Sequence, residues 1–270
     1  MAFTPKRWVT LGAAVSSAAL LAACGGEGGE SGEHAEGGES GEAAIHGEAG
    51  ETAIGETGEG EHGEGEGGEN GAAHIDAMPV EKRLAFMSGH VSAGLALYRA
   101  GEPEQAAPHL MHPVSETHAS ERAGLDALGF QPEIFERVSA ALEAGEPASA
   151  VESDLAAAEA NLIDMSAQAG GDAADIIAFL MDTTAEEYAI GVTDGAITNL
   201  GEYQDAYGFV IVAARLAESL EGPAGEAVQA ELELLGGLWP DGPLSTDTPA
   251  SVSEIVSRIS LVQLELSAFR

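Results

Sequence analysis

The chain has 270 residues, of which 46 are Asp or Glu and only 10 are Lys or Arg, so its formal net charge is −36. Such a surface repels phosphate backbones and anionic headgroups, which argues against nucleic-acid binding and favours cationic partners, metal ions included. Cys24 is the only cysteine. The rest of the chain therefore contains no disulfide, thiolate metal ligand or cysteine nucleophile.

Residues 1–23 have the three parts of a secretory signal peptide. Lys6 and Arg7 supply the positive start, a short apolar run follows from Val9 to Leu20, and small residues precede Cys24. The apolar run is shorter than the roughly 20 residues that a helix needs to cross a bilayer. We therefore expect this segment to be removed and not to remain as a membrane span.

The sequence Leu21-Ala22-Ala23-Cys24 resembles the lipobox of bacterial lipoproteins. The resemblance implies lipidation of Cys24 and cleavage before it; the alternative is an ordinary cleavage site beside a free cysteine. Two or three acyl chains anchor a protein stably, since each buried methylene contributes about 0.8 kcal/mol. In such proteins an aspartate after the cysteine favours the inner membrane, and here Gly25 follows. We expect an envelope protein, on the outer membrane facing the periplasm if the source is Gram-negative.

Residues 24–73 form the second predicted segment, an acidic tether that follows the lipidated cysteine. From Gly25 to Ala73 it contains 14 glutamates and neither Lys nor Arg. Low hydrophobicity and one-sided charge predict disorder, because too little apolar area is available to offset the ordering entropy. Histidines at four positions near these glutamates would bind metal loosely, although a solvated spacer needs no such role; they are His34, His46, His62 and His74.

Residues 74–270 are predicted to fold as one all-α helical bundle. Alanine-rich, leucine-bearing segments of helical period alternate with Gly and Pro, and runs of alternating β-branched residues are missing. The predicted helices cover 79–100, 103–111, 119–128, 132–144, 148–168, 173–194, 197–221, 223–236 and 249–268. A division into two halves near Gly170 and Gly171 is conceivable, but one bundle is the simpler arrangement.

The potential metal ligands are most concentrated on the first two predicted helices. Met87 and His90 share one helix face, and Gly94 leaves space one turn beyond His90. An antiparallel return after the Gly101 turn would bring the next helix back beside them. The candidate metal ligands are His90, His109, His112, Glu116, Met87 and Met111. Imidazole with carboxylate suits iron, zinc or divalent copper, and thioether shifts the preference towards monovalent copper or haem.

Two other interpretations of these residues stay open. A histidine three residues from a methionine on an apolar face is usually a hydrogen-bonded core residue, and the hairpin around Leu97 to Ala107 also resembles a tetratricopeptide-type helix pair. The chain contains no nucleophile elbow, zinc-protease motif, phosphate loop or dinucleotide fingerprint. We therefore expect a non-catalytic protein that binds or delivers a metal ion, with a metal-free structural or partner-binding lipoprotein as the alternative.

A second candidate set lies on one arc of a predicted helical stretch. The acidic members of the arc are Glu187, Asp194, Glu202 and Asp205. A continuous polar arc is normally the solvated side of an amphipathic helix, and this is the preferred interpretation. Gly191 and Gly195 on the same arc favour close helix approach, so a secondary metal site is kept as the alternative.

The helical part resembles imelysin-like and iron-uptake periplasmic proteins. The segments that carry the resemblance are Gly89-His90, His112 through Glu116, and Glu202 through Phe209. The resemblance implies a helical bundle associated with metal handling. Those families have a Gly-x-His-x-x-Glu signature, whereas Ala93 occupies the glutamate position here. The family's ligands are therefore not transferred to this chain.

Overall fold

The computed structural model describes residues 78–114, 122 and 124–270. The predicted signal peptide, Cys24, the tether with its histidines, and Glu116 lie outside the described residues. The described part contains eight α-helices, which confirms the all-α class. They are α1 Val80–Ala100, α2 Pro103–Met111, α3 Pro132–Glu143, α4 Ala148–Ala169, α5 Ala173–Gly191, α6 Leu200–Ala217, α7 Gly222–Gly236 and α8 Val252–Leu266.

The helix ends follow local chemistry. Gly101 ends α1 with a φ of 90° and donates its N–H to the carbonyl of Tyr98, because glycine adopts this left-handed conformation without steric cost. Pro103 and Pro132 occupy first-turn positions of α2 and α3, where a missing N–H is harmless. In the described part of the predicted helix 119–128, Leu125–Leu128 is a 3₁₀ helix.

Both predicted helices 173–194 and 197–221 exist, but their adjoining ends are wrong. The first ends at Gly191, and a short antiparallel β-hairpin, Val192–Thr193 with Ala196–Ile197, precedes α6. Its turn residues, Asp194 and Gly195, have φ values of 53° and 77°. Positive φ at both central residues is typical of Asp-Gly hairpin turns. The helices α5 and α6 are therefore antiparallel neighbours and not one continuous helical face.

The apolar side chains form two cores that meet at α1. One core lies among α1 to α4 and includes Leu95, Phe135 and Leu162. The other lies among α5 to α8 and includes Tyr203 and Trp239, and it also contains Ala85 from α1. Among the described residues, none of the helices combines the length and the apolarity needed to cross a membrane.

The helices α1 and α6 approach closely because both have glycine at the contact. A Cβ atom on Gly208 would overlap the carbonyl oxygen of Gly89 and lie 2.9 Å from its carbonyl carbon. A Cβ atom on Gly89 would overlap the ring of Phe209 in turn. His90 follows Gly89 in α1, and Asp205 lies one turn before Gly208 in α6. The close contact of the two glycines therefore brings His90 and Asp205 to the same level between the helices.

Candidate metal centre

Three side chains from three helices converge between the two cores. His90 on α1 and His109 on α2 both point a ring nitrogen at Asp205 on α6, with Nδ1 to Oδ1 distances of 2.7 Å and 2.8 Å respectively. One donor atom from each residue lies within 4.8 Å of the others. The three residues are only 4%, 4% and 6% exposed. Imidazole nitrogen and carboxylate oxygen in this arrangement can bind a divalent transition metal.

Glycine on α1 also positions α2. A Cβ atom on Gly94 would lie 2.7 Å from Leu110 Cγ and 3.0 Å from the Cβ atom of His109. A larger residue would therefore push α2 outwards. Because Gly94 lies one turn beyond His90, the two imidazoles are held at the same level of the hairpin.

The charges of the three groups are coupled. Burial alone would raise the pKa of Asp205, but the neighbouring His90 and His109 outweigh it and hold that pKa well below its usual range. Burial alone would lower the pKa of His109, but the charge and hydrogen bond of Asp205, with a contribution from Gln204, raise it above 6.5. Asp205 is therefore a carboxylate at neutral pH and stabilises positive charge between the helices.

Hydrogen bonds fix the His109 ring from both sides. Its Nδ1 atom faces Asp205, and its Nε2 atom lies 3.0 Å from Oε1 of Gln204. The amide of Gln204 is oriented in turn, because its Nε2 atom donates to Gln105 at 2.7 Å. Both ring nitrogens of His109 thus face acceptors, which explains the raised pKa. A metal ion bound at either nitrogen would take the place of a proton.

His90 has a different environment. Its ring lies edge-on to Phe86 and Phe209 at centroid distances of 4.6 Å and 5.3 Å. Its Nδ1 atom lies 2.7 Å from Oδ1 of Asp205, an ion-pair distance, and its Nε2 atom has no hydrogen-bond partner among the described residues. Buried polar groups are normally satisfied. The unpartnered Nε2 atom leaves His90 one buried nitrogen that is available to a metal ion.

Two further acidic side chains, Glu187 on α5 and Glu202 on α6, interact with each other, and Glu187 also interacts with the charge of Asp205. Burial, a hydrogen bond with Glu202 and the charges of Glu202 and Asp205 raise the pKa of Glu187 to about 10. Glu202 is 7% exposed and Glu187 is half-buried, so solvent screens the repulsion between the two carboxyl groups only in part. Like charges cannot both persist there without a cation, and one of the two groups keeps a proton instead.

The Glu187→Gln variant tests this protonation in metal-free protein. The folded pKa of about 10 exceeds the ordinary value of 4.5, so between these values the folded chain retains a proton that the unfolded chain has released. Stability attributable to Glu187 therefore falls as pH rises through that window. We expect the variant to melt close to wild type at pH 4.5 and above it at pH 8, measured by circular dichroism with chelator. A Tm difference that shrinks as pH rises would contradict the assignment.

The remaining predicted ligands occupy different environments. His112 is buried, and its ring stacks on His90 with centroids 4.0 Å apart and planes 14° apart. Met87 is fully buried within the first apolar core, and Met111 is 40% exposed. Asp194 lies exposed in the hairpin turn. The ligand assignments stay predictions, but the structure groups His90 and His109 with Asp205.

The preferred interpretation of the acidic arc as a solvated helix face is wrong for Glu202 and Asp205, since both are buried. The sequence contained a signal that could have located them. His90-x₃-Gly94 is followed by His109-x₂-His112, and Glu187-x₃-Gly191 is followed by Glu202-x₂-Asp205. Gly191 has the same role as Gly94, because a Cβ atom on it would lie 2.7 Å from the backbone nitrogen of Tyr203. Two helical hairpins thus present donors in one repeated pattern.

A cavity of about 340 Å³ reaches the centre from the surface. Its walls come from α2 and the start of α6, and they include Glu104, Asn199, His109, Glu202 and Asp205. Glu104 is exposed, whereas the last three residues are buried. A larger cavity of about 650 Å³ beside the β-hairpin is lined by Asp241 and Asp247 among others, but by none of the histidines. The smaller cavity therefore connects solvent with the histidine and carboxylate donors.

The fold and the centre together define a helical domain with a buried imidazole and carboxylate site. Residues 165–263 match the iron permease-associated 4-helix bundle domain, a helical domain tied to iron uptake. The match begins at the end of α4 and covers α5, α6, α7 and most of α8, so it includes Glu187, Glu202 and Asp205. His90 and His109 precede it. Searches of curated proteins and of solved structures gave no match.

Proposed function

We propose that this chain is a lipid-anchored envelope protein whose helical domain binds iron at the centre formed by His90, His109 and Asp205 and delivers it onward. The observation that carries the proposal is the convergence of two buried imidazoles on one buried carboxylate, at 2.7 Å and 2.8 Å. The match to a domain associated with iron permeases makes iron the favoured cargo among the metals that accept this donor set.

The donor chemistry supports a borderline metal. Nitrogen and oxygen donors suit iron, zinc and divalent copper, whereas monovalent copper prefers thiolate and thioether sulfur. Met87 packs in an apolar core and Met111 lies largely at the surface. The donors that converge at the centre are two imidazole nitrogens and one carboxylate oxygen. The centre is therefore better suited to iron or zinc than to monovalent copper.

Delivery requires that the metal can leave, and the cavity between α2 and α6 supplies a path. The cavity joins exposed Glu104 to the buried Asp205. A carboxylate at the mouth attracts cations, and a strongly negative chain raises their local concentration. We propose a membrane permease as the recipient, because the matched domain is described as permease-associated. The tether would let the anchored domain reach such a partner.

Metal analysis of the purified full chain tests the proposal. The protein is incubated in turn with ferrous, ferric, zinc and divalent copper ions, desalted, and its bound metal is measured by mass spectrometry. We expect stoichiometric iron, and loss of most of it in the His90→Ala and His109→Ala variants. The matched control replaces His34, His46 and His62 together by alanine and should retain the iron, because a tether ligand is ordered only at a cost of about 1–2 kcal/mol per residue. Substoichiometric binding of every metal would favour the metal-free structural lipoprotein.

The lipid anchor is tested separately with Cys24→Ala. The thiol of Cys24 is the only one available for lipidation. We expect cells grown with a fatty-acid analogue to label the wild-type chain and not the variant, and the variant to move from the membrane fraction to the soluble fraction. Undiminished label on the alanine variant would overturn the anchor.

A further inference from the structure

A chain of hydrogen bonds runs from the buried ring of His109 to Glu102 at the start of α2. The Nε2 atom of His109 lies 3.0 Å from Oε1 of Gln204. The amide nitrogen of Gln204 donates to Oε1 of Gln105 at 2.7 Å, and the amide nitrogen of Gln105 donates to Oε2 of Glu102 at 3.0 Å. The chain therefore crosses from α2 to α6 and back, and it ends on a carboxylate.

Glu102 fixes the direction of every hydrogen bond in this chain. A carboxylate offers acceptors only, whereas a glutamine amide offers one acceptor oxygen and one donor nitrogen. Gln105 must turn its nitrogen towards Glu102, so its oxygen faces Gln204. Gln204 must in turn direct its nitrogen at that oxygen, which leaves its own oxygen facing His109. Rotating either amide would place two acceptors in contact, so the Nε2 atom of His109 has to be the donor and carries a proton.

Burial makes this partner hard to replace. Gln204 is only 2% exposed, although the cavity between α2 and α6 passes it. Gln105 and Glu102 are half-buried. A buried donor that loses its acceptor is destabilised, because water does not readily take the acceptor's place. The Nε2 proton of His109 is therefore held by the protein and not by solvent.

The other ring nitrogen of His109 faces the remaining donors of the centre. Its Nδ1 atom lies 2.8 Å from Oδ1 of Asp205, and the same oxygen lies 2.7 Å from Nδ1 of His90. With Nε2 committed to Gln204, Nδ1 is the nitrogen that can exchange its proton for a metal ion. Its direction towards Asp205 suits that exchange.

We propose that Gln204, held by Gln105 and Glu102, is a positioning residue that keeps a proton on Nε2 of His109 and so makes Nδ1 the metal-binding nitrogen. The proposal rests on the metal-binding function proposed above. In metal sites, the hydrogen bond made by one imidazole nitrogen sets which nitrogen binds, orients the ring and raises its basicity. Gln204 acts through His109 and does not itself touch the metal.

Nitrogen-15 nuclear magnetic resonance identifies the bound nitrogen. The labelled full chain is loaded with zinc, a diamagnetic ion that accepts imidazole ligands as iron does. The signals of His109 are identified by their loss in metal-free His109→Ala. We expect zinc on Nδ1 and a proton on Nε2. Zinc on Nε2 with the proton on Nδ1 would overturn the inference and leave metal binding intact. The tether histidines are replaced by alanine to simplify the spectrum; they are His34, His46, His62 and His74.

Two substitutions of Gln204 separate its acceptor oxygen from its bulk. Gln204→Leu keeps a side chain of similar size without the acceptor, and we expect the dissociation constant of ferrous iron to rise about 10–100-fold, as is usual when a ligand loses such a partner. Gln204→Glu keeps an oxygen opposite Nε2 and should bind iron at least as tightly as wild type, with zinc still on Nδ1. Gln168→Leu, an exposed substitution on α4, is the matched control and should change neither quantity.

The outcomes distinguish this inference from the function on which it rests. An iron affinity of Gln204→Leu within about threefold of wild type would remove the positioning role. Gln204→Glu binding as weakly as Gln204→Leu would show that the acceptor is not what matters, and would also overturn the inference. No bound metal in the parent chain would overturn both proposals. A circular dichroism melt of each variant verifies that it is folded at the temperature of the measurement.

Discussion

Asp205→Asn is expected to weaken iron binding by at least about 100-fold, which corresponds to about 2.7 kcal/mol at 25 °C. Asparagine keeps the shape of the side chain and can still hydrogen-bond to an imidazole, but it removes the charge that both His90 and His109 face. A neutral amide is also a poorer ligand than a carboxylate for a divalent transition metal. The dissociation constant is measured by competition with a chromophoric chelator at pH 7.

The same variant has a second readout that does not depend on metal. Burial is already the largest single influence on the pKa of His109, and without the charge of Asp205 it is no longer outweighed, so that pKa should fall from above 6.5 to below it. Titration of the metal-free protein by nuclear magnetic resonance measures this shift. Asp164→Asn, an exposed substitution on α4, serves as the matched control and should alter neither quantity. Iron affinity within threefold of wild type in Asp205→Asn would remove Asp205 from the centre.

The helical hairpin that carries the histidines could be predicted because its determinants are local. Gly101 and Pro103 define a turn between two periodic segments, and α2 begins and ends where the sequence predicts. Residues at equal distances from such a turn meet across it. This is why the sequence pointed to His90 and His109 as members of one site.

The third member of the centre could not be located in the same way. Asp205 reaches His90 only through the packing of α6 on α1, a contact between segments more than a hundred residues apart in the chain. That packing depends on Gly89 and Gly208, and an isolated glycine inside a helix does not identify its partner. The predicted acidic arc also runs through the Asp194-Gly195 turn as if the helical period continued there, and this places Asp205 on a solvated face. The positive φ angles of that turn show that turn chemistry outweighed the periodic pattern.

Gly208→Ala is expected to destabilise the domain by at least about 3 kcal/mol, at the upper end of the usual cost of overpacking a core. The new methyl group would overlap the carbonyl oxygen of Gly89. Because that atom belongs to the backbone of α1, it cannot move aside as a side-chain end can. The two helices must separate, and in a domain of this size each kilocalorie lowers Tm by about 2–4 °C. Thermal unfolding of the metal-free variant should therefore show a decrease of about 6–12 °C.

The matched control is Gly201→Ala on the same helix. A Cβ atom there would meet only Oδ1 of Asn199, at an ordinary 3.5 Å, so the substitution should be neutral or stabilising by up to about 1 kcal/mol. Separation of α1 from α6 also moves His90 away from Asp205, and Gly208→Ala should therefore lose iron affinity although it replaces no ligand. A variant with wild-type Tm would refute the close helix contact. A variant with lowered Tm but undiminished iron affinity, measured where it is still folded, would show that the centre does not depend on that contact.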